Sequence, residues 1–141
     1  MNRPISKIVL DTNVLISSLW GNKPYQVIQL WEKGEILLLL SQPILDEYFR
    51  VLNRFSISEE DLDHLYVLFS NSEKTLFLHP KIKIHQILED PPDDRFLECA
   101  VEGQADFIIS GNKHLLNLKI FQGIPIVNPS QFLNLRNDLS V

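Results

Sequence analysis

The sequence predicts an α/β protein: a three-layer α/β/α sandwich around a mostly parallel central sheet of four to five strands. Short, uniformly apolar runs that suit buried strands alternate with longer segments whose apolar residues recur at helical spacing. Strands joined through helices pair in parallel and carry helices on both faces. The chain has 141 residues, 45% of them hydrophobic, enough for one core and one domain over residues 1–141.

Lys7 to Leu10 reads as the first buried strand, and Asn13 to Leu19 as a short helix behind Asp11 and Thr12. Gly21 and Pro24 punctuate the chain before a helix over Tyr25 to Lys33, with Val27, Leu30 and Trp31 on its apolar side and Gly34 at its end. Ile36 to Leu40 is too short and too evenly apolar for an amphipathic helix and fits a buried strand. Ser41 suits an N-cap and Pro43 the first turn of a helix striped by Ile44, Tyr48, Val51, Leu52 and Phe55. Ser58 caps the next, with Glu60 and Asp61 in its first turn and Leu62, Leu65, Tyr66 and Phe69 as its stripe.

Thr75 to Leu78 and Ile82 to Ile84 are short strand candidates. A helix begins at Asp93 or Asp94, runs to Glu102 and stops at Gly103. Asp106 to Ser110 is a further buried strand, turned by Gly111 into a short helix at Lys113 to Leu116. Gly123-Ile-Pro-Ile-Val is the last strand, its Pro125 suggesting a sheet edge, and Pro129 to Leu135 the last helix.

Composition narrows the function. The longest apolar run, Ile36 to Leu40, is five residues, against the roughly 18 that a membrane span needs. The N-terminal residues lack the pattern of a secretory signal, and the single Cys99 excludes an internal disulfide, so a cytoplasmic location is expected. A net charge of −5 argues against tight electrostatic binding of nucleic acid, though not against catalysis on it. Lys81, Lys83, Arg95, Lys113 and Lys119 all fall in the second half of the chain, which a solvated face explains. Dinucleotide and phosphate-loop glycines, CxxC and HExxH are all missing. A phosphoryl-accepting receiver would want a Lys after the final strand, where this chain has Asn128-Pro129-Ser130.

Two acidic stretches stand at element junctions: Asp11-Thr12-Asn13 after the first strand and Asp90-Pro91-Pro92-Asp93-Asp94-Arg95 before a helix. Carboxylates that meet at strand ends repel one another unless a cation lies between them. Asp11 is also a good N-cap, which is its plain structural alternative. Glu47 lies about 60° from Ile44 around its helix, at the rim of the apolar stripe, while Asp46 lies about 160° away, towards solvent. Asp93 precedes Phe96, Leu97 and Ala100 by three, four and seven residues and so faces the sheet; Asp94 aligns less well. Acids in a first turn are also favoured by the helix dipole alone. Asn112 follows a strand and opens a helix, either as a cap or as a polar group for a water. Cys99 reads as a small buried residue, and the lone His114 is left without a metal.

Together these residues resemble the PIN-domain family over essentially the whole chain. Ile8-Val-Leu-Asp-Thr-Asn-Val-Leu resembles its opening motif, with Asp11 as first acid. Ser41-Gln-Pro-Ile-Leu-Asp-Glu-Tyr followed by Arg50-Val-Leu resembles its second, with Glu47. Asp90-Pro-Pro-Asp-Asp-Arg-Phe-Leu-Glu-Cys-Ala resembles its third, with Asp93 or Asp94 as the acid. Ala105-Asp-Phe-Ile-Ile-Ser-Gly-Asn-Lys-His-Leu-Leu, then Gly123-Ile-Pro-Ile-Val, resembles the VapC-like toxin branch. One position departs: Asn112 stands where the family usually has Asp.

The resemblance implies a metal-dependent ribonuclease. Asp11, Glu47, Asp93 and Asn112 would be its catalytic residues, and Asp11, Glu47, Asp93 and Asp94 its candidate ligands for Mg²⁺ or Mn²⁺. Thr12, Asn13 and Ser110 would support them. It also implies an RNA substrate, a cognate antitoxin whose peptide covers the site, and a homodimer. The alternative is a catalytically weakened PIN fold that binds RNA or a protein, motivated by Asn112 and the acidic net charge. An α/β nucleotide-binding domain is a third possibility, for which no phosphate loop is visible.

Overall fold

The computed structural model describes residues 5–85 and 93–139. Asp90, Pro91 and Pro92 of the third motif lie outside these residues. The elements follow in the order β1 (Ser6–Leu10), α1 (Thr12–Ser17), a 3-10 turn (Ser18–Trp20), α2 (Asn22–Glu32), β2 (Ile36–Ser41), α3 (Gln42–Leu52), α4 (Glu59–Ser70) and β3 (Thr75–Leu78). Then come α5 (Asp94–Gly103), β4 (Phe107–Ile109), α6 (Lys113–Leu116), β5 (Ile120–Phe121), β6 (Ile124–Val127) and α7 (Pro129–Leu139).

The strands form one sheet in the order β3-β2-β1-β4-β6-β5. The pairs β3·β2, β2·β1, β1·β4 and β4·β6 are parallel, and only β5·β6 is antiparallel. Ile8 sits opposite Leu38, and Leu10 opposite Ile109. The central strands are buried on both faces, which is why Ile8 to Leu10 and Leu38 to Leu40 carry no polar alternation. Helices α2 and α7 pack on each other and against β2 and β4, while α5 packs across β1 to β4. The connection through α5 runs back from β3 to β4, so a right-handed crossover sets α5 on the face opposite α2.

The expected α/β architecture therefore holds, with six strands rather than four or five. The extra strand is β5, two residues long, joined to β6 by a two-residue turn in which Gln122 (φ 48°) and Gly123 (φ 82°) are both left-handed. Two consecutive positive φ values match the twist of a tight hairpin. β6 is thus not an edge strand, as Pro125 suggests, because β5 lies outside it. The proline costs little there, since β6 pairs with β4 through Ile126 and Val127, beyond it.

Several local expectations change. Ile82 to Ile84 forms no strand; Ile82 is exposed and the Ile84 N–H donates to Glu98 Oε2 at 2.8 Å. Ser41 occupies the N-cap of α3 but caps no N–H, because its buried hydroxyl is bonded to the Cys99 thiol. Burial pushes that thiol up to about 12, so Cys99 is the inert core residue expected. Ser58 does cap α4, accepting from the Asp61 N–H at 3.1 Å. Helix α2 starts three residues earlier than expected, since Pro24 in its first turn breaks no internal bond.

Gly103 does not end α5 through its own conformation; Gln104, at φ 52°, makes that turn. The glycine is needed for space, because a Cβ there would lie 2.6 Å from both Leu39 Cδ1 and Leu78 Cδ1. Phe55 lies beyond the end of α3 and is exposed, and Tyr66 is exposed on α4, whose buried residues are Leu65 and Leu68.

Candidate functional site

β1 and β4 are neighbours in the sheet but lead into helices on opposite sides of the chain path, so a crevice opens beyond their C-terminal ends. Asp11 follows β1 and Ser110-Gly111-Asn112 follows β4. The Asp11 N–H donates to the Ile109 carbonyl at 3.0 Å, which ties the two strand ends together. The buried Tyr48 hydroxyl donates to the Leu10 carbonyl at 2.6 Å and fixes β1 just before the acid.

Asp11 is 3% exposed. Its Oδ1 accepts the Val14 N–H at 2.8 Å, so it does cap α1. Its Oδ2 accepts the Gly111 N–H at 3.0 Å and the Ser110 hydroxyl. Burial raises its pKa, and the bonds from Ser110, Val14 and Gly111 oppose that without cancelling it. These donors are all neutral, so the ionised carboxylate has no cationic hydrogen-bond partner among the described residues.

Glu47, near the middle of α3, brings its side chain to the same crevice; Asp46 is exposed and pairs with Gln42 instead. The Thr12 hydroxyl donates to Glu47 Oε2. Glu47 Oε1 accepts from Arg95 Nη1 at 3.3 Å and faces Arg50 Nη2 at 3.5 Å. Asp93 is buried as the residue that leads into α5, and its Oδ2 accepts from Asn112 Nδ2 at 2.7 Å. Asn112 also caps α6, its Oδ1 accepting the His114 N–H at 2.8 Å. Its side chain thus serves as the cap that the sequence allows, and its Nδ2 adds a bond to Asp93 that the sequence does not announce.

A pocket of about 310 Å³ is lined by Asp11, Thr12, Glu47, Asp93 and Asn112, with Asn13, Val51 and Phe96 beside them and Arg50 and Arg54 at its wall. Asp94 is buried at the start of α5 but does not line the pocket. The arginines are the residues that sequence reasoning passes over. A signal exists for Arg50, which stands three positions after Glu47 on α3, whereas Arg54 lies in the turn beyond that helix.

A family model of the PIN domain matches residues 7–114. The chain belongs to the PIN-domain family. The match spans Asp11, Glu47, Asp93 and Asn112, and β5, β6 and α7 lie beyond it. A comparison with curated proteins gave no match. PIN domains are in general nucleases that work with divalent metal ions, and the fold implies contact with nucleic acid.

The chemistry of this PIN domain's pocket fits such an ion. Hard carboxylate oxygens are the donors that Mg²⁺ and Mn²⁺ prefer. Asp11 is buried and takes only neutral hydrogen-bond donors among the described residues, so its charge is left for such an ion to balance. Glu47 and Asp93 are turned towards protein partners, and among the described residues no three carboxylate, His or Cys groups stand in ligating geometry. A cation that keeps several of its waters needs no closed cage of three carboxylates.

Proposed function

We propose that this PIN domain is a metal-dependent endoribonuclease and the toxin component of a toxin–antitoxin pair. The observation that carries the reading is that Asp11, Glu47, Asp93 and Asn112, from four separate stretches of sequence, line one pocket at the sheet's switch point. Apart from Val51 and Phe96 that pocket is walled by acids, arginines, hydroxyl and amides, which suits a hydrated ion and a phosphodiester better than an apolar ligand.

Asp11, Glu47 and Asp93 would hold a hydrated Mg²⁺ or Mn²⁺, in part through its waters, with Asp94 at the start of α5 as the further candidate. When bound, such an ion polarises the phosphodiester and eases loss of a proton from water. The chain's own groups do the rest. Asp11 is held rigid by Val14, Ser110 and Gly111, so it offers its charge at a fixed point. The Thr12 hydroxyl steadies one oxygen of Glu47, and the Asn112 amide steadies Asp93. An antitoxin peptide covering the pocket, a homodimer and a cytoplasmic location belong to the same reading. The antitoxin and the homodimer rest on the resemblance of residues 105–116 and 123–127 to the toxin branch, and the location on the single Cys99 and the lack of a secretory-signal pattern.

One observation favours a second reading, a weakened nuclease that serves as an RNA- or protein-binding module. Asn112 brings an N–H donor to Asp93 where a fourth carboxylate would bring another metal ligand.

RNA cleavage with Mn²⁺, with Mg²⁺ and with EDTA tests both. The natural protein is expected to cleave only with metal, and Asp11→Asn to abolish cleavage. Asn112→Asp is expected to tighten Mn²⁺ binding by about ten- to a hundredfold. Cleavage that persists in EDTA or in Asp11→Asn refutes the catalytic assignment. No cleavage by the natural protein, together with a gain in Asn112→Asp, establishes the second reading.

A further inference from the structure

We propose that Arg95 is a positioning residue of the candidate metal site: its guanidinium holds the Glu47 carboxylate from behind and clamps α3 to the entry of α5, so that the acids of the pocket stay gathered before an ion arrives. The inference rests on the metal-binding reading of the pocket and adds to it a residue outside that pocket on which ion affinity depends.

The acids of the pocket are not held alike. Asp11 is short, buried and bonded to the N–H groups of Val14 and Gly111, so the backbone fixes it. Asp93 is buried and takes the Asn112 amide at 2.7 Å. Glu47 has the longer side chain and reaches the pocket from inside a helix, with more rotamer freedom to lose. Its two oxygens are held from different elements. Thr12, at the start of α1, donates to Oε2, and Arg95, on α5, donates to Oε1 at 3.3 Å. A carboxylate offers about four lone-pair positions, so both oxygens keep room for an ion or its water.

Arg50 also faces Oε1, at 3.5 Å, but its side chain is 57% exposed, and ion pairs so open to water contribute little. The Arg95 side chain is 22% exposed and that of Glu47 12%. The same Arg95 Nη1 donates to the Pro43 carbonyl at 3.3 Å. Pro43 stands four residues before Glu47, about one turn of α3, so a single guanidinium grips a backbone atom and a side chain of that turn. Arg95 does not line the pocket, whereas Glu47 does, so the guanidinium takes no place that an ion needs. Its charge also offsets part of the repulsion between Glu47 and the other acids. Arg95 comes two residues after Asp93, so one short segment supplies both an acid and the clamp on another.

Mn²⁺ is titrated into the metal-free full chain, followed by calorimetry and by the paramagnetic resonance of free Mn²⁺, which also registers weak sites. The natural protein is compared with Arg95→Ala, Arg95→Lys, Arg50→Ala, Glu47→Ala and the double variant Glu47→Ala/Arg95→Ala, and circular dichroism checks that each is folded. Arg95→Ala should weaken Mn²⁺ binding about ten- to a hundredfold, the range for removing a group that orients a metal ligand. Arg95→Lys, which keeps the charge and loses the planar fork, should recover part of that loss. Arg50→Ala should change the affinity far less. In the Glu47→Ala background Arg95→Ala should cost nothing further, since the side chain through which it acts is gone.

An equal loss of affinity in both backgrounds makes Arg95 a support of the fold alone and overturns the proposal. So does an Arg95→Ala affinity that equals or exceeds the natural one; tighter binding would make the guanidinium a rival of the ion. Should Arg95→Ala fail to fold, Arg95→Gln takes its place in the cycle with the same two outcomes. A natural protein that binds no Mn²⁺ refutes the metal reading of the pocket and this inference with it, whereas binding that is indifferent to Arg95 refutes this inference alone.

Discussion

Asp11 holds three hydrogen bonds and almost no water, and the balance between them sets its titration. Burial is the larger effect and raises its pKa above the ordinary carboxylate value. The folded protein therefore binds a proton on Asp11 at pH values where the unfolded chain has released it. Between those two pKa values stability falls as pH rises, and at neutral pH the ionised side chain works against folding. Asp11→Asn removes that charge. The stability of Asp11→Asn relative to the natural protein, measured by urea unfolding in EDTA, should be greatest at neutral pH. It should shrink as pH is lowered through the raised pKa of Asp11. A difference that stays flat, or grows on acidification, would contradict the burial-dominated picture. The same logic predicts that metal affinity falls on acidification, since cation and proton compete for one carboxylate.

The elements succeed in delivering these side chains because their ends are fixed by packing. Helix α5 carries Asp93 at its entry and crosses β1 to β4, and its approach to the sheet depends on Gly103 at the far end. A methyl group on that residue would meet the terminal methyls of Leu39 and Leu78, and Leu39 is fully buried. Gly103→Ala should therefore destabilise the protein by about 1–3 kcal/mol, as overpacked cores do, despite the better helix propensity of alanine. Thermal or urea unfolding measures it. A stabilised variant would mean that the leucines move aside without strain. Helix α3 makes the complementary contribution, with Tyr48 anchoring the end of β1 and Glu47, one residue earlier, turned towards the crevice.

For the molecule as a whole, the pocket joins the ends of β1 and β4, the inner turns of α3 and the start of α5, so a bound ion would tie together parts of the chain that unfolding separates. Mn²⁺ should raise the melting temperature with the logarithm of its concentration above Kd, adding about 2.7 kcal/mol of stability at a hundredfold excess. EDTA should reverse the rise and Asp11→Asn should abolish it. A rise that survives Asp11→Asn would put the ion elsewhere. No described helix is long and apolar enough to cross a membrane.

The strands were legible wherever an apolar run was short and dense, as at Ile36–Leu40 and Phe107–Ile109, because burial on both faces leaves no polar pattern to misread. The helix starts at Asp11, Ser58 and Asn112 were legible because capping is local chemistry. Asp11 and the Asp93/Asp94 pair were legible as acids at element ends and Glu47 as an acid at the rim of its helix stripe, while alignment with Phe96 and Leu97 favoured Asp93 but left Asp94 open. Long-range partners were not legible. Nothing near Ser41 announces that its hydroxyl goes to Cys99, and nothing near Gly103 announces two leucines from other strands. Helical spacing assigns Phe55 to the core; the chain leaves the helix at Leu52, and the ring ends in solvent against Trp20. Arg50 has the right spacing from Glu47, but only the folded α3 turns that face to the carboxylates, and only the turn after α3 brings Arg54 to the same pocket. Local periodicity and capping are decided by neighbours in sequence, whereas proximity across 35 to 100 residues is decided by how the helices pack on the sheet.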